Sequence, residues 1–161
     1  MDLELELLIA LKLCFAFALG AFIGYDRERS GHSAGIRTYA AVAMGAALFG
    51  TVADLINDPT SEARVIAAII EGIGFLGAGI IFKDKDEKEA QGLTTAATVW
   101  ATAGVGVSIG LDLYLIALLA SLALYFLLSM HRYKWYARWR ARLQKGGAKE
   151  LTRIEQVKNE V

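Results

Sequence analysis

Apolar blocks, each about as long as one membrane crossing, most constrain what this chain can fold into. Residues 5–25, 37–57, 64–82, 93–110 and 112–130 are predominantly apolar or small, and most charged residues fall between or after them. A helix rises ~1.5 Å per residue, so about 20 residues cross ~30 Å of hydrocarbon. Backbone in lipid must also satisfy its own hydrogen bonds, which a helix does. The pattern predicts an all-α membrane protein, a compact bundle of five transmembrane helices with short loops. Only Gly110-Leu111-Asp112 separates the last two blocks. Joined, they would be about twice the bilayer thickness, so a tight hairpin is expected there. A hydrophobic content of 55%, with one proline and 16 glycines, suits closely packed spanning helices better than a loop-rich soluble domain.

The basic residues predict orientation. Arg27, Arg29 and Arg37 lie in or beside the first connection and Lys83, Lys85 and Lys88 in the third; nine more follow from residue 131 onward. Together they are fifteen of the 17 Lys and Arg; Arg64 lies on the opposite side and Lys12 within the first block. Lys and Arg accumulate on the cytoplasmic side, so the N-terminus is expected outside and the C-terminus in the cytoplasm. An odd number of spans is needed for that arrangement, and five agrees. The start MDLELE is acidic where a secretory signal is basic, and no cleavage motif follows GAFIGY, so the first block is read as retained. Cys14 is the single cysteine, which excludes an intrachain disulfide or a multi-cysteine metal site within this sequence.

Residues 1–130 therefore read as the membrane domain and 131–161 as a basic, aromatic juxtamembrane segment with a short helical tail. Tyr133, Trp135, Tyr136 and Trp139 interleave with Lys and Arg, a composition that anchors at the headgroup level. Nucleic acid could attract such charge, but its place directly after a spanning helix points to the lipid bilayer. Beyond Gly146-Gly147, Thr152 and Glu155 have capping-box spacing, and Leu151, Ile154 and Val157 suggest a short helix.

Candidate site residues fall into three groups. Glu71, near the middle of the third block, would cost at least ~2.5–3.5 kcal/mol to insert, so a bundle interior or cavity is expected around it. Lys12 stands at similar depth in the first block, and a Lys12–Glu71 pair would be a structural ion pair or part of a cation or proton site. Asp26 and Glu28 could offer oxygens to Mg²⁺, as Glu71 could, or could neutralise the neighbouring arginines, with Arg37 nearby. Thr94, Thr98 and Thr102 recur every four residues, giving one hydroxylated face that could line a path or bond across helix interfaces. Gly20 with Gly24, and Gly106 with Gly110, form GxxxG pairs; Gly72, Gly74, Gly77 and Gly79 crowd the third block. Such glycines let helices pack closely, although GIGFLGAG could instead break its helix and expose carbonyls to an ion. No nucleophile with a nearby base stands out in the sequence, and GIGFLGAG lacks the Lys-Ser/Thr of a phosphate loop, so no enzyme is expected.

The segments GAFIGYDRERSGHSAGIRTYAAVAMGAALFG, EGIGFLGAGIIF and GLTTAATVWATAGVGVSIGLDLY, spanning roughly residues 8–128 in order, resemble the membrane motifs of the MgtC/SapB family. Matching positions are Asp26, Arg27, Glu28, Gly35, Arg37, Thr38, Gly92, Thr94, Thr95 and Trp100. Asp26 replaces a commoner glutamate, and Glu71 stands where a small hydroxyl residue is usual. The resemblance implies a multi-pass protein of the bacterial inner membrane, tied to magnesium homeostasis, stress adaptation and survival inside hosts. It implies either a part in Mg²⁺ or other cation transport, or regulation of another membrane protein such as ATP synthase or an ion transporter. Many relatives carry a folded cytoplasmic domain after the membrane region, for which about 30 residues are too few. Five short helices are few for a pore, so a homodimer is expected.

Overall fold

The computed structural model describes residues 3–81 and 90–133, together with Tyr136 and Arg138. Five main helices follow one another among the described residues: α1 (Leu3–Arg29), α2 (Ile36–Leu55), α3 (Pro59–Ile80), α4 (Leu93–Gly110) and α5 (Tyr114–Ser129); a 3₁₀ turn, Met130–Arg132, follows. No strand element occurs among the described residues. The first four are long and apolar enough to cross a membrane; α5, with 16 residues, is shorter. Four such helices are consistent with a multi-pass membrane protein.

Local chemistry accounts for the ends. Glu4 and Glu6 sit in the first turn of α1 and Arg27 and Arg29 in its last, each favourable to the helix dipole. α3 opens on Asp58, whose carboxylate accepts from the Ser61 N–H at 2.9 Å, with Pro59 in the first turn. Those hydrogen bonds hold the Asp58 carboxyl below its usual range. The backbone entering α4 turns at Gly92, φ +83°, where a Cβ would strike the Ile80 carbonyl. The tight α4–α5 hairpin forms as expected, with Asp112 taking φ +61° in the turn.

The chain divides into two compact units, Met1–Tyr125 and Phe126–Val161. In the first, α2 is central, packed chiefly against α1 on one side and α4 on the other. Small residues set these contacts: Ala40, Ala43, Ala46, Ala47 and Gly50 of α2 are all buried. α3 leans on α4 and α2 and does not touch α1. α5 meets α1 through rings, Phe15 edge-on to Tyr114 at 6.1 Å and Phe22 stacked on Tyr125 at 4.4 Å. In the second unit, the described part includes the rings of Phe126 and Tyr133, 6.2 Å apart.

The fold decides one open alternative and replaces one pairing. α3 runs unbroken through GIGFLGAG, so its glycines do not interrupt the helix. Lys12 pairs with Asp112 at 2.8 Å and donates to the Gly110 carbonyl at 3.2 Å, and α1 and α3 are not neighbours, so no Lys12–Glu71 pair forms. A long, flexible lysine reaches from its helix toward the polar α4–α5 turn, away from apolar surroundings. The connection KDKDEKEAQ, apart from its last residues, and the helix expected beyond Gly147 lie outside the described residues.

Candidate functional site

The glycine spacing of α1 decides which of its polar residues turn inward. Gly20, Gly24 and Arg27 follow one another by four and three residues and so share a face. A Cβ on Gly20 would lie 2.5 Å from the Tyr39 carbonyl oxygen, and one on Gly24 would lie 2.8 Å from the Ile36 Cα. That close approach presses Arg27 into the interface, where only 7% of it is exposed. Its Nη2 donates to the Thr95 hydroxyl of α4, and its Nε has no hydrogen-bond partner. Tyr39, fully buried, shares a 2.6 Å hydrogen bond with the Thr98 hydroxyl. Thr98 also donates to the Thr94 carbonyl at 2.8 Å, and Thr102 donates to the Thr98 carbonyl at 2.7 Å. Asp26, beside Arg27 in sequence, is buried as well.

α1, α2 and α4 thus enclose a polar core at the end of the bundle where Arg27 meets Thr95. Thr98 and Thr102 are buried within it, whereas Thr94 is exposed and Thr95 takes the inward place beside it. Arg27, Tyr39 and Thr95 belong to this core but not to the three candidate groups, although Arg27 and Thr95 are among the positions that match the family motifs. The signal for Arg27 was its register with Gly20 and Gly24: a face that packs backbone to backbone carries its next residue inside with it.

Glu28, Arg37 and Thr38 lie apart from that core. With Gly31, His32, Ser33 and Gly35 they line a polar recess of about 230 Å³ at the α1–α2 connection. One oxygen of Glu28 accepts the Ile36 N–H at 2.8 Å, so this carboxylate caps α2 instead of facing Asp26's buried position. Gly35 leaves room for it, since a Cβ there would push the Glu28 carboxylate aside. No group of three or more His, Cys, Asp or Glu is gathered for a metal ion among the described residues.

Glu71 stands elsewhere again. It is exposed on α3, without a hydrogen bond or ion pair to any described residue, and α3 does not touch the helix that carries Asp26. The glycines divide in the same way. Gly20, Gly24, Gly106 and Gly110 sit against α2 backbone, while Gly77 meets only the Ala96 methyl, at 3.7 Å. A Cβ on Gly72, Gly74 or Gly79 would meet nothing within 4 Å. Between α2 and α3 runs an open apolar groove of about 540 Å³, lined by small residues such as Gly45, Ala46, Ala68 and Gly72 and by larger ones such as Phe49 and Leu76.

At the other end, Asp112 accepts from Lys12 and from the Tyr114 hydroxyl. These hydrogen bonds, the one from Lys12 first, hold its carboxyl below the usual range. Asp54 is exposed near the end of α2.

Residues 13–134 match the MgtC family. Protein MgtC of Brucella abortus (strain 2308) is 48% identical over 101 residues, covering 63% of this chain and 42% of the relative. Protein MgtC of Salmonella typhimurium (strain LT2) is 45% identical over 112 residues, covering 70% and 47% respectively. The chain spans less than half the length of these curated relatives. No solved structure matches.

Proposed function

The chain belongs to the MgtC family, and from that membership we propose that it is an inner-membrane protein supporting magnesium homeostasis by docking on another membrane protein rather than by conducting cations. The observation that carries this reading is the position of Arg27. A fixed guanidinium stands at the head of the threonine face, the most hydroxylated stretch of the bundle interior. At 4 Å, a divalent cation would be opposed by about 8 kcal/mol even at an effective dielectric constant of ~20. The hydroxyls beyond it are engaged: Thr98 with Tyr39 and the Thr94 carbonyl, Thr102 with the Thr98 carbonyl. In this reading the N-terminus faces outward, and the arginine-bearing α1–α2 connection faces the cytoplasm.

The competing reading is a Mg²⁺ transport component, favoured by one observation: the buried carboxyl-bearing Asp26 beside that core. Mg²⁺ uptake into liposomes holding the purified protein separates the two. The docking reading expects uptake no greater than in empty liposomes. Uptake above that background, lost in Glu71→Gln or Asp26→Asn, would replace it with transport.

A further inference from the structure

α3 is the least covered of the four long helices, yet its open side is not plain hydrocarbon. Ile66, Ile69, Ile73 and Gly77 face the bundle and are partly or fully buried. Around the helix from them, Arg64, Ala67, Glu71, Gly74 and Ala78 recur every three or four residues, and all are exposed. Glu71 lies about 18 Å along a helix about 33 Å long, so in a bilayer its carboxyl stands near mid-depth. There it has no partner among the described residues, and water is not at hand to supply one. Gly72, the next residue, lines the α2–α3 groove with open space where its side chain would be, and Gly45, Ala46 and Ala68 add further small residues of the kind that admit a packed helix.

We propose that this side of α3, with the adjoining groove, receives one transmembrane helix of another protein, and that this helix carries an Arg or Lys at mid-membrane depth. This rests on the docking reading above and names the chemistry of the partner. The groove takes apolar side chains of the incoming helix, and the absent side chain at Gly72 lets the two backbones approach. Glu71 then selects a cation, because an ionised carboxyl in a low-dielectric setting is stabilised by an opposite charge and penalised by a like one. A second copy of this chain fits less well: a two-fold pair through this face would set Glu71 against Glu71 and bring no cation to either carboxyl.

The test uses the full chain in lipid vesicles and a synthetic leucine–alanine transmembrane peptide with one central Arg. Matched peptides carry Leu or Glu at that position, and association is read by energy transfer between labels. The Arg peptide should associate about tenfold more strongly than the Leu peptide, the size expected of one interhelical polar contact. Glu71→Gln should erase that preference, and Gly72→Leu should weaken both peptides by filling the groove; circular dichroism in the same vesicles verifies that each variant is folded. Equal binding of Arg and Leu peptides by folded protein overturns the proposal, as does an Arg preference that survives Glu71→Gln. Self-association through α3 that excludes the Arg peptide overturns it in favour of a second copy. Mg²⁺ uptake by these vesicles would overturn the docking reading and this assignment together; absent uptake with no Arg preference overturns the assignment alone.

Discussion

Gly106→Ala and Gly72→Ala add the same methyl group to two helices of similar composition, and the structure assigns them opposite outcomes. At Gly106 the new Cβ would strike the Ala43 carbonyl oxygen and come within 2.8 Å of the Ala46 Cβ. Ordinary contact begins at about 3.4 Å, so α4 would have to back away from Ala46 by about 0.6 Å and from the nearer Ala43 carbonyl by more. The obstruction is backbone and a single methyl, neither of which can rotate aside. Gaps of ~0.5–1 Å forfeit a quarter to a half of each contact's attraction, and overpacking of this kind costs ~1–3 kcal/mol. At Gly72 the Cβ would meet nothing within 4 Å. Both variants gain ~1 kcal/mol of helix propensity over glycine. That gain is common, so the difference between them isolates the packing penalty: Gly72→Ala should be neutral to about 1 kcal/mol stabilising, with Gly106→Ala about 1–3 kcal/mol below it. Unfolding of the two proteins in mixed micelles, followed by circular dichroism, measures the difference. Equal stability would refute the claim that α4 touches α2 through its glycines.

Three further outcomes are expected. Thr95→Val removes the acceptor of a buried guanidinium and should destabilise the fold by about 1–3 kcal/mol in the same assay; an unchanged midpoint would mean that Arg27 is satisfied elsewhere. Asp112 has a folded carboxyl depressed by Lys12, so its contribution is present above the ordinary carboxylate pKa and is lost as pH falls through the folded value. Its side chain is 55% exposed, so the contribution is only about 0.2–1 kcal/mol, and Asp112→Asn should flatten the acid limb of a stability–pH curve by that amount. In a Cys14→Ser background, a cysteine at Asn57 should react with an impermeant maleimide added to intact cells and one at Ser33 should not; the reverse would invert the proposed orientation.

The count and extent of the helices were legible because apolar block length is a strong signal, but their ends were less so. α1 continues to Arg29, four residues past the apolar block, because its charged end stays helical when Arg27 follows the glycine face inward. α3 begins at Pro59, not residue 64; Asp58-Pro59 carries the start signal, but the polar Glu62 and Arg64 mask it in a reading by hydropathy. The two GxxxG pairs, Gly20 with Gly24 and Gly106 with Gly110, do pack closely, but that most glycines of the third block do not was not legible. The third block has the densest glycine run and the fewest close contacts, because spacing shows that a helix can be approached and never by what. Counting depth from a helix start likewise misplaced Lys12's partner, since a long side chain answers to the nearest polar turn rather than to its own Cα.

The central place of α2 has a consequence for how the chain is made. One side of α2 is covered by α1, which precedes it, but the other waits for α4, with all of α3 between. From Ala46 to the Gly106 that rests on it, 60 residues must be synthesised, about 3–12 s at ~5–20 residues per second. Throughout that interval a nascent α1–α2 hairpin, latched by Glu28 on the Ile36 N–H, sits in the membrane with a small-residue seam open. Any helix with a matching surface can compete for that seam until α4 arrives.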